Sequence, residues 1–278
     1  MRLDIQGGLE RPKIDVHCHV GRLPNTDKSS DALVGLGETL GVVEMWCSIP
    51  VTGGRIAPME EIVAANDSVL HAMARHPNRI RGMCFVIPGY YKEALAEIER
   101  CLDAGMIGVK LYNQYTIDNP VVRPIIELAV ERSFPVLMHA GFLVAKEHLA
   151  GQPLISHGIH FAAANERYPD AMLIHAHIGG GGDWEGTVRA MRNTSPNLYV
   201  DVSGSNLDDD QVAFAVTELG AERVLYGSDG TMAGSVGKVL GANLTEDVRE
   251  MVLWGNAERI LAAQGATPLM AREEGVSL

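Results

Sequence analysis

The feature that most limits how this chain can fold is the regular alternation of eight short apolar runs with longer amphipathic stretches. The runs read as strands over Ile14–His17, Val42–Ile49, Ile80–Val86, Ile107–Leu111, Val136–His139, Met172–His175, Leu198–Val202 and Val224–Tyr226. Helical periodicity fills the intervals, as in Met59–His76, Tyr91–Ala104, Val121–Arg132, Gly158–Tyr168, Trp184–Asn193, Asp208–Leu219 and Asp247–Ala262. Strands alternating with helices imply parallel βαβ units. A chain of 278 residues suits a single closed (β/α)8 TIM barrel, which takes roughly 250 residues, better than an open sheet. No G-x-G-x-x-G opens the first unit, which weakens the dinucleotide-binding alternative. The chain reads as one domain with its core over about residues 12–262 and a loosely held tail over 264–278.

In such a barrel the loops that follow the strands form the rim where chemistry takes place. Those loops are Gly21–Ser30, Pro50–Pro58, Gly141–His157, Gly179–Asp183 and Gly227–Asn243. The first strand ends in Asp15-Val16-His17-Cys18-His19, and side-chain alternation puts His17 and His19 on one face. The fifth strand closes on His139, the sixth on His177 after His175, and the eighth on Asp229. Each residue alone is an ordinary polar strand end. Together, three imidazoles and a carboxylate at one rim point to a divalent cation, because such metals take N and O donors. His175, one alternation below His177, reads as a core or supporting histidine. Asp201 closes the seventh strand and reads as orienting a neighbour.

Other residues leave alternatives open. Lys110 closes the fourth strand as a lysine facing substrate, a rim residue paired with an acid, or a carboxylated lysine bridging two metals. Arg22 and Arg55 follow the first two strands and either clamp a substrate carboxylate or make exposed salt bridges. Tyr112, just past the fourth strand, is a candidate substrate contact or part of a turn. His148, His157 and His160 read as structural, and His71 and His76 as surface residues. The run Gly179–Gly182 reads as a tight turn.

Composition excludes several classes. A net charge of −12 argues against a nucleic-acid footprint, which needs a basic face. The four cysteines lack C-x-x-C spacing and read as free thiols of a reducing compartment. The first residues, MRLDIQGGLERPK, have no apolar segment of the secretory kind, and no run is long enough to span a membrane. A cytoplasmic protein without membrane or nucleic-acid partners is the expectation.

The motifs D-V-H-C-H, H-A-G, H-I-G-G and G-S-D-G, with the closing W-G-N-A-E-R-I-L, resemble the amidohydrolase superfamily over about Pro12 to Ala262. They are most similar to its amidohydrolase-related branch, which holds hydrolases beside non-oxidative decarboxylases. The resemblance implies that His17, His19 and His139 are metal ligands, with Asp229 a ligand or proton acceptor. It implies that His177 polarises substrate, orients water or binds a second metal. The expected cofactor is a divalent metal, zinc before manganese, with one ion or, if Lys110 is carboxylated, two.

The leading expectation is hydrolysis of a small lactone, amide or related carbonyl compound by metal-activated water, with Asp229, His177 and Lys110 catalytic. Compact rim loops favour this reading. The alternative is non-oxidative decarboxylation of a small carboxylic acid, with Asp229 protonating carbon. A third reading is a silent ligand-binding barrel, which the complete donor set disfavours. A homodimer is expected by analogy alone.

Overall fold

The computed structural model describes residues 5–141, 150–178, 182–204, 206–207 and 210–269. Eight parallel strands are ordered β1 to β8 around a nearly closed barrel. They are β1 Lys13–His19, β2 Val42–Ser48, β3 Ile80–Phe85, β4 Gly108–Leu111, β5 Val136–Met138, β6 Leu173–His175, β7 Leu198–Asp201 and β8 Val224–Leu225. Main-chain bonds from Val16 N to Tyr226 O (3.1 Å) and from Asp229 N to His17 O (2.8 Å) join the last strand's end to the first. The chain therefore forms the (β/α)8 barrel that the strand–helix alternation predicts.

Two layers of apolar side chains follow from the strand period of two. Ile14, Val16, Trp46, Met83, Leu137, Ile174, Tyr199 and Leu225 fill the barrel. Alternating residues such as Met45, Cys47, Val109, Val136, Leu173 and Val200 pack outward under the helices. The β1–β2 register shifts between Asp15 and Cys18. Asp15 thus pairs with Met45, on the outward side of β2, while Cys18 still pairs with Cys47 and His19 with Ser48. This local irregularity in β1 lies beneath the His17–His19 pair.

Two helices occupy stretches that the sequence leaves outside its helices, one starting within the Gly21–Ser30 loop and one lying within Gly227–Asn243: α2 Thr26–Leu40, after the short α1 Ile5–Glu10, and a later one over Met232–Gly241. Both are rich in glycine, which costs about 0.8–1.0 kcal/mol relative to alanine in a helix interior. Packing overrides that propensity. Val34 on the first and Val236, Val239 and Leu240 on the second are buried, and a Cβ at Gly37 would lie 3.0 Å from Val42 O. The closing helix is also less regular than its periodicity, with a π-helical turn at Met251–Gly255 between Glu246–Glu250 and Asn256–Ala263.

Residues 265–269, read in sequence as the start of a loose tail, turn under the barrel instead. The buried Glu44 accepts from Arg81 Nε (2.7 Å), Trp46 Nε1 (2.9 Å) and Leu269 N (2.6 Å). Arg81 in turn donates to Thr267 O. His148, Gly179–Gly181 of the glycine run, Asp208 and residues 270–278 lie outside the described residues. Among the described residues no helix is long and apolar enough to cross a membrane.

The Glu44–Arg81 pair yields a stability prediction. Glu44→Leu strips a buried guanidinium of its counter-charge and should cost about 3–5 kcal/mol in urea unfolding. A loss below about 1 kcal/mol, the range of exposed pairs, would show that the pair does not hold the barrel floor.

Candidate metal centre

The strand ends bring His17, His19, His177, Lys110 and Asp229 to one place above the inner core. Donor atoms of His17, His19 and Asp229 lie within 4.8 Å of one another, as do those of His17, His177 and Asp201. His19 Nε2 is 2.8 Å and His17 Nε2 3.6 Å from Asp229 Oδ1, while His177 Nδ1 is 3.5 Å from Oδ2. Two of these side chains reach the site through left-handed backbone, His177 at φ 62° and Asp229 at φ 46°. Non-glycine residues rarely hold that conformation, and it is found where surrounding structure over-determines it.

The positive φ of His177 corrects the sequence reading of β6. Alternation would place His175 and His177 on one face. The chain instead turns at His177, and His175 packs under Phe161 at a ring distance of 4.7 Å with neither ring nitrogen hydrogen-bonded. His175 is thus a core histidine of the outer layer, and burial lowers its pKa to about 4.

Hydrogen bonds behind the imidazoles determine which nitrogens face inward. His17 Nδ1 donates to Asp201 Oδ2 at 2.9 Å. His19 Nδ1 donates to Ser48 O at 3.0 Å, and a carbonyl oxygen can only accept. His17 and His19 therefore turn Nε2 toward the centre. At His19 that nitrogen lies 2.8 Å from Asp229 Oδ1, close enough for both to bind one cation. The donor chemistry fits a divalent metal, with His17, His19 and Asp229 as its nearest residues.

Electrostatics agree with this reading. Burial, then the Lys110 charge, drives His139 down to about 3. Burial, then the neighbouring histidines His17 and His139, holds His177 well below the ordinary histidine value. Such rings stay neutral and able to ligate. Burial alone would push the Asp229 carboxyl up, but the hydrogen bond from His19, first among the surrounding imidazoles, holds it below the carboxylate range. Lys110 Nζ lies 2.7 Å from His17 Nε2, and burial lowers its pKa to about 8 against the attraction of Asp229 and Asp201.

His139 stands at the edge of this group. Its Nδ1 is 2.9 Å from His177 Nε2 and its Nε2 2.8 Å from Gln152 Oε1. Tyr112 stacks on its ring at 4.0 Å and 11°. Arg22 and Arg55 do not reach the cluster in this conformation: both pair with Glu61, at 2.7 and 2.5 Å. Hydrogen bonds from Arg55 and then Arg22 hold Glu61 down to about 2. His71 and His76 pair with Asp27 and Asp31 on the helix surface, and His157 and His160 cap a helix together.

Sequence reasoning missed several residues that support the site. Ser203 Oγ is 3.0 Å from His177 Nδ1 and donates to Asp201 Oδ1. Asp15 Oδ1 accepts from His17 N and Ser228 N, each at 3.0 Å, and burial raises its carboxyl to about 7. Asp15 stood in the quoted D-V-H-C-H motif and was legible to that extent. Ser203 had no such signal.

A family model described as amidohydrolase matches residues 14–262, and the chain belongs to that family. The chain is 23% identical over 244 residues to a gamma-resorcylate decarboxylase of Polaromonas sp. (strain JS666 / ATCC BAA-500), covering 70% of this chain and 74% of that protein. Its fold is similar to a 2,6-dihydroxybenzoate decarboxylase from Rhizobium (TM-score 0.68, 17% identity, 90% of this chain and 98% of that one). It is also similar to a dihydroxybenzoic acid decarboxylase from Polaromonas sp. JS666, with bound manganese and 2-nitroresorcinol (TM-score 0.67, 18% identity, 90% and 96%).

These comparisons overturn the expectation of a hydrolase, because the named relatives are decarboxylases. The inference from compact loops to a hydrolase falls with it, since the named relatives of this compact chain are decarboxylases. One constellation of imidazoles and carboxylate serves both reactions, so donor residues alone could not separate them.

Asp201 gives the prediction for this centre. Asp201→Asn replaces a carboxylate behind His17 and should weaken divalent-metal affinity by roughly 10–100-fold, the usual scale for a lost partner of a ligating histidine. Chelator competition on the refolded, metal-loaded protein measures it. Unchanged affinity would mean that Asp201 does not act through His17.

Proposed function

We propose that this protein is a metal-dependent, non-oxidative decarboxylase of a small aromatic acid carrying a hydroxyl beside the carboxylate. The observation that carries the reading is the placement of Asp229: its carboxylate touches three imidazoles yet keeps 32% side-chain exposure toward the open rim. It therefore borders both the donor group and the space where a substrate would lie. The decarboxylase relatives support the reaction class, and their dihydroxybenzoate substrates suggest the substrate class.

A divalent ion bound here would supply a Lewis acid toward the substrate's carboxylate and neighbouring oxygen. The chain's own residues would do the rest. Stacked Tyr112 and His139 form a flat wall against which an aromatic ring packs. Lys110, buried and cationic, offsets substrate negative charge. An arriving anion raises the pKa of a nearby carboxylate, so Asp229 takes up a proton in the complex and delivers it to the ring carbon. There the carbon–carbon bond breaks, its electron pair stays on the ring, CO2 leaves and the proton takes its place. His177, hydrogen-bonded to Ser203, steadies Asp229 through the exchange.

We further propose one ion per chain, with Lys110 as a free amine. Manganese and zinc both suit imidazole and carboxylate donors, and manganese, present in the Polaromonas structure, is tested first. The test incubates manganese-loaded protein in D2O with hydroxybenzoates labelled with ¹³C in the carboxyl. Release of ¹³CO2 with one deuterium on the vacated ring carbon is expected. Fully loaded protein that decarboxylates none of a panel of ortho-hydroxybenzoates would refute the proposal. Asp229→Asn should keep the fold and lower kcat by at least ~10²-fold.

A further inference from the structure

We infer that Asn113 and Gln152 are positioning residues that fix the tautomer of His139 and hold its Nδ1 lone pair toward the metal centre. The ligand half of this inference rests on the metal-dependent reading above. The hydrogen-bond half stands on the geometry alone.

The chain of bonds starts at a group that cannot be turned round. The main-chain N–H of Gly54 donates to Asn113 Oδ1 at 2.9 Å. That contact decides which end of the Asn113 amide is oxygen, an assignment that is otherwise ambiguous for an amide. The other end, Nδ2, donates to Gln152 Oε1 at 2.9 Å, so Gln152 is oriented in turn. Its Oε1 also meets His139 Nε2 at 2.8 Å. An amide oxygen only accepts, so His139 Nε2 carries the ring proton, and a neutral imidazole has no second one.

Nδ1 is left as a lone pair on the side of His177. Tyr112, stacked at 11°, opposes rotation of the ring. Asn113 is 1% exposed, which shields the relay from competing water. The three candidate imidazole ligands thus have their tautomers set by three different acceptors: a carboxylate for His17, a main-chain carbonyl for His19 and this amide relay for His139. The relay also ties the loops after β2, β4 and β5 to one ring.

Long-range ¹H–¹⁵N NMR of the metal-free, ¹⁵N-histidine-labelled full chain reads the tautomer directly. His139, assigned by loss of its signals in His139→Ala, should be the Nε2–H form. Asn113→Asp keeps an acceptor for Gly54 but cannot donate to Gln152, so the Gln152 amide should turn and His139 should switch to Nδ1–H. In that variant Mn²⁺ affinity, from chelator competition, should fall roughly 10–100-fold. Gln152→Glu keeps the acceptor toward both neighbours and should retain wild-type tautomer and affinity.

An Nδ1–H form in the wild type, or an Asn113→Asp variant unchanged in both readouts, overturns the relay. Unchanged Mn²⁺ affinity in His139→Ala overturns the ligand half instead, whatever the tautomer proves to be.

Discussion

The buried carboxylate of Asp201 is the contact on which the site depends. It sits at the end of β7 with no exposure, where an unpaired charge would cost several kcal/mol. It is not unpaired. One oxygen takes the His17 ring N–H, and the other takes the main-chain N–H groups of His177 and Ser203 together with the Ser203 hydroxyl. One side chain thereby couples β1, the left-handed residue after β6 and the segment after β7. Burial pushes this carboxyl up, but its interactions with His17 first, and then with Ser203, bring it below the carboxylate range. The packing leaves no slack: a Cβ at Gly227 would sit 3.0 Å from Asp201 Cβ and 3.2 Å from His17 Cβ.

In front of that support, imidazole nitrogens and the Asp229 carboxylate converge from different strands. His19 Nε2 meets Asp229 Oδ1 at 2.8 Å, and Lys110 donates to a histidine nitrogen rather than to an acid. Local consistency is the rule in folded chains, and its breach marks functional sites. Behind the rings His17 and His19 are tied to Asp201 and Ser48, while the buried Asp15 Oδ2 has no partner; in front of them, donor atoms for a metal converge. A divalent cation is the species that makes the front consistent with the back.

What could be read from the sequence followed from how each signal is encoded. The strands were legible because runs such as Val136–Met138 are buried on both faces, and the inward and outward layers then follow from period two. The glycine-bearing helices at Thr26–Leu40 and Met232–Gly241 were not, because tertiary packing and not local preference holds them. The convergence of His17, His19, His177 and Asp229 was visible as ligand-type residues closing separate strands. The displacement of His175 to the outer layer was hidden, because the departure from alternation at His177 is a backbone event that no side chain announces. Ser203, Asn113 and Gln152 were hidden for another reason: each matters through one partner that is distant in sequence.

The two ends of the barrel divide stability from chemistry by the same means. At the floor, Glu44 and Arg81 are buried as a fully bonded pair with Trp46 and the 267–269 segment, and no group there is left to react. At the rim, the Asp229 carboxyl is held below the carboxylate range by its His19 contact, and it remains open to solvent on one side. Between the two lies the dry inner layer from Ile14 to Leu225, which carries no charge and insulates one network from the other. Changes at Asp229 therefore act on chemistry with little effect on folding, since this partly exposed carboxylate belongs to neither apolar layer. The rim is thus free to hold the converging acceptors that a metal centre requires, because the floor and the inner layer keep the barrel folded without them.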